Sequence, residues 1–124
     1  MIHLDTSVLV DALTGPKRSA ARLRALIEQG ERIGMSTLVL YEWRRGPRTR
    51  EELRAQEALF PGADAVPFAT KEAELAADAY RKIRRPRGRE IDLAIAACAI
   101  VHGAALWTLN RADFADILGL GLVD

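Results

Sequence analysis

Short apolar runs alternating with segments of helical periodicity constrain this chain more than any other feature. Residues 2–5, 33–36 and 104–109 read as strands, residues 65–68 as a weaker one, and residues 120–123 as a last one. Pro67 suits an edge position, because proline cannot donate to a sheet ladder. Helical segments lie between these runs. Val8 to Leu13 follows Thr6 or Ser7 as cap and ends at Gly15-Pro16. Ser19 to Gln29 carries Ala20, Leu23, Leu26 and Ile27 at helical spacing. A third segment runs from Ser36 or Thr37 to about Arg45, and Gly46-Pro47 stops it. Thr49 to Phe60 opens on a capping box formed by Thr49 and Glu52. Thr70 to about Ile83 is expected to use Thr70 as its cap, and Ala112 to Leu118 reads as a short helix. Glu90 to His102 is apolar almost all round, so it is expected to be buried. Continuous apolar strands of this kind predict an α/β protein whose mainly parallel sheet is covered on both faces.

The 124 residues suit a single domain, 1–124. Aromatic residues are only 6%, so alanine, leucine, valine and isoleucine must do most of the packing. The formal net charge of +1 does not announce a nucleic-acid binder, but 11 of the 18 Lys and Arg residues fall into two groups. One holds Arg44, Arg45, Arg48, Arg50 and Arg54; the other holds Arg81, Lys82, Arg84, Arg85, Arg87 and Arg89. Such groups suit phosphate-holding surface and solvated helix faces interleaved with glutamates equally well. Cys98 is the single cysteine, so no intrachain disulfide forms, and a reducing cytoplasmic setting is expected. Met1-Ile2-His3-Leu4-Asp5 has no signal-peptide character, and no run approaches the ~18 apolar residues of a membrane span.

In open parallel sheets, sites form beyond the carboxyl ends of the strands. Four acids are expected near that rim. Asp5 ends the first strand, Glu42 opens the second turn of its helix, Asp92 lies in the first turn of the apolar helix, and Asp113 follows the strand 104–109. Asp92 is the most informative, since a charge amid Ile91, Leu93, Ala94, Ile95, Ala96 and Ala97 is costly unless paired or bound to a metal. Each acid alone fits a solvated helix position or a partner for an arginine. Together they would repel one another unless a cation neutralised them, and hard oxygen donors suit Mg²⁺ or Mn²⁺. Such an ion can activate water and stabilise charge on a scissile phosphate. The two histidines, His3 and His102, support neither a nucleophilic triad nor a zinc site, and there is no phosphate-binding glycine loop. Trp107 and Phe114 read as core anchors, whereas Trp43 is expected to be partly exposed beside Glu42.

These residues resemble a known family. Leu4-Asp5-Thr6-Ser7-Val8-Leu9-Val10 is similar to the opening of PIN domains. Leu40-Tyr41-Glu42-Trp43-Arg44-Arg45-Gly46 resembles their glutamate-bearing helix, and Asp92-Leu93-Ala94-Ile95-Ala96-Ala97-Cys98-Ala99 their third acidic motif. Thr108-Leu109-Asn110-Arg111-Ala112-Asp113-Phe114 resembles the final one. The four motifs occur in order over nearly the whole chain. Within the family the chain most resembles the short VapC-type toxins of toxin–antitoxin pairs. That resemblance implies a three-layer α/β/α fold and Mg²⁺- or Mn²⁺-dependent cleavage of RNA. It also implies a homodimer and a small antitoxin partner. Carried over by position, Asp5, Glu42, Asp92 and Asp113 would be the catalytic, metal-holding acids, with Thr6, Thr108 and Asn110 supporting them by hydrogen bonds. Arg44, Arg45, Arg85 and Arg87 would contact RNA or the antitoxin. Glu90 adds one more acid near Asp92, facing either the metal or the solvent. Ser7 stands where a dehalogenase-type phosphatase would need a second aspartate. A non-catalytic PIN-like binding module is the main rival. A receiver-like signalling domain fits less well, because Asn110 and Arg111 occupy the place of its lysine.

Overall fold

The computed structural model describes residues 1–124. Three strands form one parallel sheet in the order β2-β1-β3: β1 (Ile2–Leu4), β2 (Ile33–Gly34) and β3 (Ala105–Trp107). In register, Ile2 faces Ile33 on one side and Ala105 on the other, and Leu4 faces Trp107. Two single parallel bridges widen the sheet, Ser36 with Val66 and Leu106 with Leu122. The strands expected at 65–68 and 120–123 are therefore reduced to these bridges. At the first of them, Pro67 follows Val66 directly and has no N–H to carry the ladder on.

Six α-helices surround the sheet: α1 (Thr6–Leu13), α2 (Ala20–Glu28), α3 (Thr37–Arg45), α4 (Arg50–Leu59), α5 (Thr70–Lys82) and α6 (Glu90–Val101). Helix α1 packs against α2, α3 and α4, while α5 lies along α6. His3 points toward the end of α6, its ring 6.0 Å from that of His102. Alternation along the strand sends Ile2 and Leu4 to the other face. The result is the helix–sheet–helix sandwich expected from the alternating pattern. No helix is long and apolar enough to cross a membrane.

The helix boundaries follow local chemistry. Ser36 caps α3 by accepting from the Val39 N–H, and Thr49 with Glu52 forms the reciprocal capping box at α4. Two caps differ from expectation. Asp5, not Thr6 or Ser7, precedes α1, and Ala69, not Thr70, precedes α5. Helix α6 is buried from Leu93 through Ala99, as its apolar circumference requires. Trp43 is fully buried, against the expectation of partial exposure, with the Arg48 guanidinium 4.3 Å from its ring. Trp107 and Phe114 are buried as expected. The helix expected at 112–118 is replaced by a single 3₁₀ turn, Arg111–Asp113. Phe114 and Ile117 still reach the core at 1% and 6% exposure, so their spacing reported burial, not helix.

Candidate active site

Parallel strands bring their carboxyl ends to one edge, and the loops leaving that edge carry the acids. Asp5 directly follows β1, and its N–H still donates to the Trp107 carbonyl at 2.9 Å. That bond holds Asp5 at the rim and buries it to 4% exposure. Its carboxylate makes no cap bond to α1. Instead Oδ2 accepts from the hydroxyls of Thr108 at 2.7 Å and Ser7 at 2.8 Å. Ser7 Oγ also accepts from the Leu109 N–H at 3.1 Å, and Thr108 Oγ1 accepts from the Asn110 N–H at 3.0 Å. Ser7 thus ties the start of α1 to the loop after β3. From the sequence Ser7 reads as a helix cap and as a residue that excludes a dehalogenase-type site, and neither reading includes this tie. A hydroxyl two residues beyond a strand-end aspartate was the available signal for its role.

Glu42 comes from the second turn of α3 and is half-buried. Thr6 donates to its Oε1 at 2.6 Å, so the residue after Asp5 positions the second acid. Arg45 stands 3.9 Å from Glu42 Oε2. Asp92 is the third residue of α6 and is half-buried. Asp113 closes the 3₁₀ turn and is exposed. The Asp92 carboxyl is pushed up from 3.8 to about 6, first by burial, then by the charges of Asp5, Asp113 and Glu42, with Arg89 opposing. Asp5, Glu42 and Asp113, far apart in the chain, therefore each lie within electrostatic reach of Asp92. Glu90 is exposed, its Oε1 accepting from the Gly88 N–H at 3.3 Å. Asn110 enters the network through its backbone N–H to Thr108, not through its side chain.

The four acids offer carboxylate oxygens alone, the donor type that suits a hard divalent cation. Asp92, desolvated and crowded by like charge, is short of positive charge in the way a cation would relieve. As the side chains stand, no three Asp, Glu, His or Cys residues form a ligand set around one point. Asp5 and Glu42 each have one oxygen turned to a hydroxyl. The donor set thus fits the ion in chemistry and in electrostatics.

Around this rim the cations divide. Arg89 is committed: its guanidinium forms a forked pair with Asp116 at 2.7 and 3.0 Å and donates to the Asp113 carbonyl at 2.7 Å. That pair holds the Asp116 carboxyl below the usual carboxylate range. Arg84 and Arg85 line, with Arg89, Ala112, Asp113 and Asp116, an open basin of about 630 Å³. Arg87 is exposed in the same loop. Arg44 and Arg45 are exposed on α3, where Arg45 lies 5.4 Å over the Tyr41 ring.

The model of the PIN domain matches residues 2–118. The chain is 38% identical over 116 residues to Ribonuclease VapC19 of Mycobacterium tuberculosis, covering 90% of each protein. Its fold is similar to VapBC2 of Rickettsia felis bound to a promoter DNA fragment, with a TM-score of 0.78 and 24% identity over 99% of this chain and 98% of that one. It is also similar to a toxin–antitoxin complex of Klebsiella pneumoniae, with a TM-score of 0.72 and 24% identity over 97% and 95% of the two chains. At that identity the two structures speak for the fold, while the domain match and the ribonuclease relative speak for the family. The chain belongs to the PIN domain family.

Proposed function

We propose that this protein is a metal-dependent endoribonuclease and the toxin of a toxin–antitoxin pair. The observation that supports the reading best is Asp92 at the carboxyl edge of the sheet, its carboxyl pushed up first by burial and then by the charges of Asp5, Asp113 and Glu42. Ribonuclease VapC19 is named for the same activity, and its likeness spans nearly the whole chain. In this reading the four acids hold Mg²⁺ or Mn²⁺. A divalent cation bound there supplies an activated water and Lewis acidity toward a scissile RNA phosphate.

The chain's own residues prepare that chemistry. Thr108 and Ser7 both act on Asp5 Oδ2, which leaves Oδ1 without a protein hydrogen bond. Thr6 fixes Glu42 in the same way through Oε1. Both acids are thereby oriented before any ligand arrives, and little ordering remains to be done on binding. Arg85 in the basin beside Asp113, with Arg87, Arg44 and Arg45, suits RNA backbone or antitoxin contact. Contacts of this type supply affinity and register, not base choice. A small antitoxin partner, a homodimer and a cytoplasmic location complete the proposal.

The test is cleavage of RNA by purified protein with Mg²⁺ or Mn²⁺. The wild type should cleave, and EDTA should abolish the activity. Asp5→Asn and Asp92→Asn should each reduce it by roughly a hundred-fold or more, since even residues that only support a metal site cost up to about that much. Undiminished cleavage by either variant would locate the chemistry elsewhere. Calorimetric Mn²⁺ binding without cleavage of any RNA would favour a binding module.

A further inference from the structure

We infer that the Arg89–Asp116 pair is a positioning clamp that sets Asp113 against Asp92 and so fixes the span of the acid cluster. The inference rests on the metal-dependent reading of that cluster.

Asp92 and Asp113 come from segments with different supports. Asp92 sits on α6, whose buried middle holds it firmly. Asp113 sits on a single 3₁₀ turn with an exposed side chain, and within its own segment only the buried Phe114 and Ile117 that follow it are anchored in the core. Arg89 joins the two. It is the residue immediately before α6, and its backbone N–H donates to the Pro86 carbonyl at 2.9 Å. Its Nη2 donates to the backbone carbonyl of Asp113 itself at 2.7 Å. The same guanidinium takes both Asp116 oxygens, so it is held at two points of the 113–116 segment. The planar fork makes this a directional contact rather than a point attraction.

The bond to Asp113 also shapes the chain. In a continuing helix the Asp113 carbonyl would accept from the Ile117 N–H. Here Ile117 donates to Phe114, and the Asp113 carbonyl goes to Arg89. The 3₁₀ turn that presents Asp113 to the rim thus ends where the clamp takes hold. Stability does not account for the pair. The Arg89 side chain is 19% and the Asp116 side chain 49% exposed, and an ion pair open to solvent on one side contributes little to folding. What the pair supplies is the relative placement of two acids from separate elements.

Asp116→Ala and Arg89→Lys test the clamp, with wild type alongside. Neither alters a carboxylate of the cluster, and lysine keeps the charge but loses the fork. Three readouts are taken: Mn²⁺ affinity by calorimetry, RNA cleavage, and melting temperature. Both variants should bind Mn²⁺ about ten-fold more weakly, in the range of residues that orient metal ligands. Cleavage at limiting Mn²⁺ should fall by a similar factor and recover in large part at saturating Mn²⁺, with little change in melting temperature. The double variant should be no worse than the worse single one, as expected for partners in one contact. Unchanged Mn²⁺ affinity in both variants overturns the clamp. So does a raised KM for RNA with unchanged kcat and Mn²⁺ affinity, which would make Arg89 a backbone contact. If the wild type itself cleaves no RNA, the ribonuclease reading fails, and the Mn²⁺ affinities still decide the clamp.

Discussion

At the amino end of α6, Asp92 stands among three other carboxylates, and its own carboxyl is pushed up to about 6. At the carboxyl end of the same helix, His102 Nε2 lies 3.5 Å from Glu72 Oε2 and its ring packs near His3. Between them the helix is apolar and buried. Both ends draw ionisable groups out of water, with different results. The histidine end sets an acid beside a histidine, inside the packing of α5, α6 and β1. The aspartate end gathers like charges on a rim that opens to solvent through Asp113. The first arrangement is compatible with folding by itself. The second opposes folding while the acids are ionised, and Arg89 offsets it only in part. Burial of an ionisable group alone therefore does not separate the two ends, whereas like charge gathered at an open rim does, and it is the feature on which the proposed function rests.

The difference between the two ends vanishes if the histidine end also proves to be active, and pH reads that directly. His3 is 2% exposed, and its Nε2 has no hydrogen-bond partner. Its pKa is lowered from 6.5 to about 4, first by burial, then by the charges of His102 and the N-terminal amine. The unfolded chain thus binds the His3 proton more readily than the folded one. The resulting stability is complete above pH 6.5 and is lost as pH falls toward 4. The full loss is about 3 kcal/mol, from roughly 1.4 kcal/mol per pKa unit. Urea denaturation between pH 7.5 and 4 should show it, and His3→Phe should flatten that part of the profile while leaving Mn²⁺-dependent cleavage at pH 7.5 unchanged. A loss of cleavage in a well-folded His3→Phe protein would erase the distinction between the two ends.

What was legible in the sequence divides along the same line. The parallel sheet could be read because apolar runs and helical segments alternate, and α6 because its circumference is apolar. Asp92 could be read for the same reason, as a charge where the surroundings offer none of the usual partners. Asp113 sits in a polar turn like many others, and only its position just past the strand 104–109 placed it at the rim. The missing helix at 112–118 coincides with a long-range contact, since the Asp113 carbonyl accepts from Arg89 while Ile117 donates to Phe114. Periodicity within a segment cannot report such a contact. The edge strands shrank to single bridges for want of ladder partners, which Pro67 made foreseeable on one side. Arg89 and Asp116 are 27 positions apart, and nothing local pairs one of many arginines with one of many acids.

The aspartate end yields a sharper test, because the sign is opposite to that of an ordinary carboxylate. With a folded pKa of about 6 against 3.8, Asp92 favours folding at low pH and costs stability as pH rises through 6. Asp92→Asn should therefore stabilise the metal-free protein at pH 8, while removing cleavage. The shift corresponds to about 3 kcal/mol, and partial exposure brings the expectation to roughly 2 kcal/mol. Urea denaturation in EDTA measures it. A variant less stable than wild type under those conditions would mean that Asp92 is structurally paired, like the groups at the other end. Saturating Mn²⁺ should reverse the order, since only the wild type gains from binding.

The smallest effect belongs to Ser7, which sharpens the comparison by separating orientation from charge. Ser7→Ala removes the donor to Asp5 Oδ2 and the acceptor for the Leu109 N–H, yet Thr108 still holds the same oxygen. The carboxylate loses one of two restraints and none of its charge. The fold should lose about 1 kcal/mol, a typical net value for a hydrogen bond. Cleavage should fall by about ten-fold, at the low end for groups that orient a metal ligand. Ser7→Thr, which keeps the hydroxyl, should recover most of both. If Ser7→Ala costs stability but leaves cleavage and Mn²⁺ affinity intact, Thr108 alone orients Asp5, and Ser7 serves only to join α1 to the loop after β3.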